Sequence, residues 1–345
     1  MEYNNLVTWQ SPSNIALVKY WGKHGRQLPS NPSISFTLSQ ASTVTTVRYD
    51  AKTARSAEIA LDFSFEGAAK PAFENKIKSY LQEVTDILPW LPDYNFKIES
   101  SNSFPHSSGI ASSASSMSAL ALCLLSIEQS IKEQATIDKT KASMLARLGS
   151  GSASRSVFGP LSIWGDTTVT PRSSNLHAIE YTENIDPVFS SFHDDILIIS
   201  KEEKAVSSRA GHALMDGNPY ALNRFEQAHK HLVEIVTAMQ SGDLEKFGHI
   251  VEKEALTLHA LMMASEPPYM LMEPHTLSAI RVIQDYRKSQ NIPVYFTLDA
   301  GPNIHMLYPD KYSAQVQSLK TELVTFCEDG KIIEDQVGPG PKQLA

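Results

Sequence analysis

A run of small and hydroxylated residues leading straight into a long apolar stripe sets the tightest limit on what this chain can fold into. The segment PHSSGIASSASSMSALAL (105–122) places Gly109, Ala111, Ser112, Ser113, Ala114 and Ser115 just ahead of Met117, Leu120, Leu124, Ile127 and Ile131. Those apolar positions recur every three or four residues, the spacing of one helical face. The start of a helix leaves several backbone N–H groups without intrahelical partners and carries about half a positive charge. With only small side chains around it, a phosphate can come close to that backbone, and hydroxyls add donors. The run fits an anion cradle. It also fits a serine-rich cap that packs small residues against a sheet. The common nucleotide loop G-x-x-x-x-G-K-[ST] is absent.

The surrounding pattern is mixed. Stretches 15–19, 33–38, 42–49, 95–99 and 161–165 read as strands, with a helix over 73–88. A new β element begins at 195–200. Asn218 then reads as an N-cap with Pro219 at the first helical position, and Leu222, Phe225, Leu232, Val236 and Met239 mark the buried face. Further helices are expected over 244–262 and 275–288. Strands 294–298 and 304–307 follow, joined by Asp299-Ala300-Gly301-Pro302-Asn303, then a helix over 312–326 and a closing strand over 331–337. The expected fold is α+β in two halves, 1–190 and 191–345. A chain of 345 residues, 42% hydrophobic, has ample material for that.

Charge narrows the ligand. The net charge of −8 repels nucleic acid and acidic lipid, so cationic groups for an anionic ligand must be local. Two cysteines, Cys123 and Cys327, suit buried thiols in a reducing compartment better than a disulfide framework. No basic segment followed by an apolar one opens the chain, and ALALCLL (119–125) falls short of the ~20 residues of a membrane span. A cytoplasmic protein is expected.

Four further stretches hold candidate chemistry. SPSNIALVKYWGK (11–23) brings Lys19, Tyr20 and Lys23 to the end of an apolar strand, which suits a diphosphate or simply a strand leaving the core with solvated lysines. ARLGSGSASRSVFG (146–159) sets Ser150, Ser152 and Arg155 beside Gly149 and Gly151. An arginine there could grip a carboxylate or lie on a short surface helix. KAVSSRAGH (204–212) offers Ser207 and Ser208, which could bind ligand or cap a helix. Asp299 opens a turn and could bond only its own backbone. The eleven histidines form no H-E-x-x-H or other ligand-spaced set, and His229 and His231 point to different helix faces, so no protein-held zinc site is expected.

These stretches together carry a resemblance. Pro105, Gly109, Ser112, Ser113 and Ala114 match P-x-x-x-G-L-x-S-S-A, with Ile110 in place of leucine. That is the phosphate motif of the galactokinase–homoserine kinase–mevalonate kinase–phosphomevalonate kinase superfamily. Within it the chain resembles the mevalonate diphosphate decarboxylase family, whose motifs A-P-x-N-I-A-x-x-K-Y-W-G-K, L-P-x-N-x-S-I-S-x-T-L, G-S-G-S-A-[CS]-R, V-S-S-x-x-G and D-A-G-P-N appear in order between residues 11 and about 303. Two positions depart: Ser11 stands for the usual alanine and Ser154 for the frequent cysteine.

The resemblance implies the superfamily's two-domain fold, with a ribosomal-protein-S5-like N-terminal domain, a ferredoxin-like C-terminal one and the active site in the cleft between them. It implies ATP-dependent decarboxylation of mevalonate 5-diphosphate to isopentenyl diphosphate. Asp299 would orient or deprotonate the 3-hydroxyl, with Lys19 beside it and Arg155 on the substrate carboxylate. Tyr20, Lys23, Ser150, Ser152, Ser207 and Ser208 would bind substrate. Ser107, Ser108, Gly109, Ala111, Ser112, Ser113 and Ser115 would cradle ATP, with Mg²⁺ carried on its phosphates rather than by a protein cage. A homodimer is implied, with no nucleic-acid or membrane partner. The alternatives are a mevalonate 3-kinase or phosphomevalonate decarboxylase on the same fold. A more distant one is an amidase-type serine hydrolase using Lys19 and the Gly/Ser loop.

Overall fold

The computed structural model describes residues 3–54, 56, 58–104, 112–202 and 206–345. The first half contains β1 (Asn5–Val18), the short pair β2 (Lys23–His24) and β3 (Leu28–Pro29), and β4 (Ser33–Ala51). Then come β5 (Ala60–Phe65), β6 (Ala68–Ala69), α1 (Pro71–Glu83), β7 (Tyr94–Asn102), α2 (Ser112–Ile131), α3 (Lys139–Gly149), β8 (Leu161–Trp164) and β9 (Ala178–Glu180). The second half has β10 (Phe192–Leu197), α4 (Ser208–Ala213), α5 (Ala221–Ser241), α6 (Leu244–Met263), α7 (Pro274–Gln290), β11 (Tyr295–Thr297), β12 (Ile304–Pro309), α8 (Ser313–Leu323), β13 (Ile332–Ile333) and β14 (Lys342–Gln343).

The stretches expected as two strands, 33–38 and 42–49, form one 19-residue strand, β4. Its β-branched residues suit an extended backbone. It holds the larger sheet together: its first part pairs with β8, its second with β7, and β1 runs antiparallel along both. The sheet order is β14-β1-β4-β7-β5-β6, with β8 and β9 continuing beside the first part of β4. A second sheet, β11-β12-β10-β13, belongs to the other half.

Helix α2 lies on the large sheet with α3 beside it. Among the described residues it is the one helix long and apolar enough to cross a membrane, yet 72% of that window is buried in the protein. It is a core helix. The antiparallel pair α5–α6 packs between the halves, where Leu232, Ile235, Phe247 and Val251 meet Ile15, Leu17, Ile34 and Phe36 in one apolar cluster. Both cysteines are buried free thiols, as expected.

Local chemistry moves several boundaries. Helix α5 starts after Tyr220, not at Asn218; the Asn218 side chain instead accepts the Tyr220 N–H at 3.0 Å, closing a turn. It ends at Gly242, whose φ of 70° only glycine adopts readily. The expected strand 331–337 shrinks to β13, because the chain then turns back to the first half through a Leu38–Val337 bridge and the β14–β1 pairing.

Candidate active site

Five segments far apart in sequence open onto one cavity of about 790 Å³: the end of β1, the start of α2, the Gly149–Arg155 loop, α4 and the turn after β11. Strand β1 stops at Val18, so Lys19 leaves the sheet with its side chain turned inward, 1% exposed. Its Nζ sits 3.0 Å from Asp299 Oδ1, joining the two halves across the cleft. Burial holds the ammonium below its ordinary value, against the upward pull of Asp299 and Glu254. An ammonium at that distance favours an ionised carboxylate. His259 Nε2 donates to the Asp299 carbonyl at 3.1 Å, which fixes the backbone on that side.

Arg155 lies in a buried 3-10 turn, Gly151–Val157, and is 2% exposed, so the surface-helix reading of this arginine does not hold. Its Nε and Nη2 bond Asn14 Oδ1 at 3.3 and 3.2 Å, Nε also reaches Ser35 Oγ at 3.1 Å, and Nη1 reaches Ser33 Oγ at 2.8 Å. Burial pushes the guanidinium down to about 10, partly offset by Asp299, and it stays cationic at neutral pH. One hydrogen on each terminal nitrogen is left over, a pair suited to a carboxylate.

Tyr20 packs at a tilt against Trp164 and His212, with ring centroids 4.7 and 4.4 Å away. Burial raises its phenol, and the hydroxyl has no hydrogen-bond partner among the described residues. Lys23 Nζ donates to Gln27 Oε1 at 2.9 Å; burial and Arg209 lower it. Ser150 Oγ is 3.1 Å from Ser113 Oγ, tying the glycine loop to the helix start. Ser152 also lines the cavity. Gly149 and Gly151 are needed for close packing rather than for a turn. A Cβ on Gly151 would stand 2.7 Å from the Tyr20 hydroxyl.

The expected phosphate loop is divided. Ser107, Ser108, Gly109 and Ala111 lie outside the described residues. Ser112, Ser113, Ser116, Met117 and Leu120 face the cavity, the last four at the spacing of one helical face. Ser115 is off that face: it is fully buried, with its hydroxyl 2.6 Å from Thr43 Oγ1, so it does not reach the cavity. Ser207 caps α4 by accepting the Ala210 N–H at 3.2 Å, while Ser208 lines the cavity. The two departures from the family motifs are absorbed inside the protein: Ser11 Oγ donates to Ser118 Oγ at 2.7 Å and Ser154 Oγ to the Gly151 carbonyl at 2.8 Å.

Sequence reasoning did not single out Asn14, Arg209 or His212, which also line the cavity. All three sat inside quoted motifs, where their polar character was the available signal. His212 Nδ1 accepts the Gly22 N–H at 3.0 Å, and burial, with Lys23 and Arg155, pushes the ring down to about 3, so it is neutral. Among the described residues no cluster of three His, Cys, Asp or Glu could hold a metal. Two carboxylates, Asp299 and Glu83, and several hydroxyls line the cavity, a set that suits Mg²⁺ arriving on nucleotide phosphates rather than held in a protein cage. Lys19 pairs with Asp299 and with neither serine of the glycine loop, which leaves the amidase arrangement without its lysine–serine contact.

A cleft between two α+β halves, with an inward-facing helix start and a lysine–aspartate pair, defines a small-molecule kinase fold of the galactokinase–mevalonate kinase type. The pattern of the diphosphomevalonate decarboxylase-like N-terminal domain matches residues 11–175, and that of the mevalonate 5-diphosphate decarboxylase C-terminal domain matches 195–343. The diphosphomevalonate decarboxylase of Aspergillus fumigatus is 30% identical over 90% of this chain and 78% of its own length. The mevalonate diphosphate decarboxylase of Enterococcus faecalis, 28% identical, superposes with a TM-score of 0.83 over 98% of both chains. A solved structure of MDDEF in complex with MVAPP, AMPPCP and magnesium, 29% identical, also gives 0.83 over 98% of each. The chain belongs to the diphosphomevalonate decarboxylase family.

Proposed function

We propose that this protein catalyses the ATP-dependent decarboxylation of mevalonate 5-diphosphate, releasing isopentenyl diphosphate, ADP, phosphate and CO2. The observation that carries this reading is the Lys19–Asp299 contact at 3.0 Å on the same cavity as Arg155 and the start of α2. Asp299 orients the tertiary 3-hydroxyl and accepts its proton as the oxygen attacks the γ-phosphorus of ATP. Lys19 keeps that carboxylate ionised and lies beside the charge that moves during transfer. The 3-phosphate then leaves with the C–O bond electrons. The C–C bond to the carboxylate supplies the electrons of the new double bond, and CO2 departs. Arg155 holds the carboxylate for that step.

Tyr20, Lys23, Ser150, Ser152 and Ser208 face the substrate, and Tyr20 has a hydroxyl ready for a diphosphate oxygen. Ser112 and Ser113, with the preceding loop, receive ATP phosphates. Mg²⁺, when bound on those phosphates, neutralises their charge. In this reading residues 1–190 bind the phosphate groups and residues 191–345 supply Asp299. A cytoplasmic homodimer completes it on family resemblance; sedimentation at the mass of a single chain would remove the dimer.

Incubating the purified protein with ATP, Mg²⁺ and mevalonate diphosphate, with ADP and CO2 measured together, tests the reaction. Equal yields are expected. ADP without CO2 would leave a 3-kinase, and faster CO2 release from the monophosphate would change the substrate.

A further inference from the structure

Lys19 is held by its backbone as well as by Asp299. Because β1 ends at Val18, no strand partner among the described residues takes the Lys19 peptide groups. Side chains from the helix pair α5–α6 take them instead. Glu254 Oε2, on α6, accepts the Lys19 N–H at 2.8 Å. Arg224 Nη2, on α5, donates to the Lys19 carbonyl at 2.9 Å, and Asn31 Nδ2 donates to the same oxygen at 3.0 Å. Glu254 is fully buried and outside the cavity wall. It joins these groups: Arg224 grips both its oxygens, at 3.0 and 2.6 Å, and His231 Nδ1 lies 2.5 Å from Oε1.

The same helix reaches the other member of the pair, through His259 and the Asp299 carbonyl. Helix α6 therefore anchors the backbone on both sides of the Lys19–Asp299 contact. The buried Lys19 N–H needs an acceptor, and the one it has is itself held by Arg224 and His231, so the place of Lys19 follows that of α5 and α6.

We propose that Glu254 is a positioning residue that sets Lys19 Nζ against Asp299 by clamping the Lys19 backbone from α6. This rests on the reading of Lys19 and Asp299 given above. A displacement of the order of 1 Å in a reacting pair can cost about 100-fold in rate. The clamp acts on geometry at the reacting centre, so its loss lowers kcat and leaves KM for ATP and mevalonate diphosphate nearly unchanged.

Two variants test it. Glu254→Gln removes the charge and leaves Arg224 buried without its partner, so it can fail to fold. Glu254→Asp keeps a negative charge opposite Arg224, so the guanidinium is not left beside a neutral group, and it withdraws the carboxylate from Lys19 by one methylene. With folding checked by circular dichroism well below the unfolding midpoint, Glu254→Asp is expected to lose about 10- to 100-fold in kcat with KM values within about threefold. A folded Glu254→Asp with wild-type kcat overturns the proposal, as does a loss seen only in KM or only in thermal stability. Should Glu254→Gln not fold, Glu254→Asp decides alone. Wild type in the same assay separates the two readings. No CO2 from wild type sinks the reaction, whereas wild-type turnover beside an unimpaired Glu254→Asp sinks only the positioning role.

Discussion

His212 is enclosed by the aromatic rings of Tyr20 and Trp21, 4.4 Å away on each side, and accepts the Gly22 N–H. Burial, reinforced by the charges of Lys23 and Arg155, pushes the folded ring down to about 3, and a proton on Nδ1 would also break the bond from Gly22. Between that value and the ordinary 6.5, the unfolded chain binds a proton that the native one refuses. Stability therefore rises with pH through this window, and acidification from 6.5 removes up to about 1.4 kcal/mol per unit. The expected result is a shallower fall in urea stability between pH 6.5 and 4.5 for His212→Gln than for wild type. Carboxylates whose ordinary values lie near 4.5, such as Glu254, add slope mainly below that range. Equal slopes would refute the neutral, clamped imidazole. Lys19, Arg155 and Asp299 were picked out in the sequence only by the five motifs taken together, since each alone also had a structural reading, and the structure brings all three to one cavity. Glu254 was not picked out, since a lone glutamate in a helical stripe gives no sign of being buried.

At the scale of elements, the Gly149–Arg155 loop shows how packing rather than backbone torsion selects glycine. A Cβ on Gly151 would meet Tyr20 Oη at 2.7 Å and the Trp164 ring at 3.0 Å. The Trp164 ring is fully buried and Tyr20 packs against it, and overpacking of this kind costs about 1–3 kcal/mol. Gly151→Ala should therefore lower stability by that amount and raise KM for mevalonate diphosphate, because Tyr20 must shift. Unchanged KM with a lowered unfolding midpoint would show that Tyr20 plays no part in binding. Periodicity alone found α2, α6 and α7 to within a few residues, their apolar faces being regular. It missed the continuity of β4, because Ser39 and Gln40 at its middle look like a turn. The structure keeps that stretch extended by bonding it to Asp335. A partner nearly three hundred residues away leaves no local trace.

That contact leads to the behaviour of the whole molecule. Asp335 is 3% exposed, and its carboxylate accepts the N–H groups of Ser39, Gln40 and Ala41 and the Ser39 hydroxyl, at 2.7–2.9 Å. It sits where the second half of the chain turns back onto the sheet of the first, next to the Leu38–Val337 bridge. Together with the apolar cluster shared by β1, β4, α5 and α6, it makes separate unfolding of the halves unfavourable. Wild type should then unfold in urea as one transition, with fluorescence and circular dichroism coinciding. Asp335→Ala strands the buried Ala41 N–H, at about 1–3 kcal/mol, and takes an acceptor from Ser39 and Gln40 nearer the surface, so the midpoint should fall or the transition should split in two. Turnover at 25 °C in the protein that remains folded should stay close to wild type, because the Lys19–Asp299 contact is held from α6 and not by the returning chain. Loss of kcat in folded Asp335→Ala would mean that the returning chain, as well as α6, sets the reacting pair. Two separate transitions in wild type would mean that the shared cluster does not couple the halves at all.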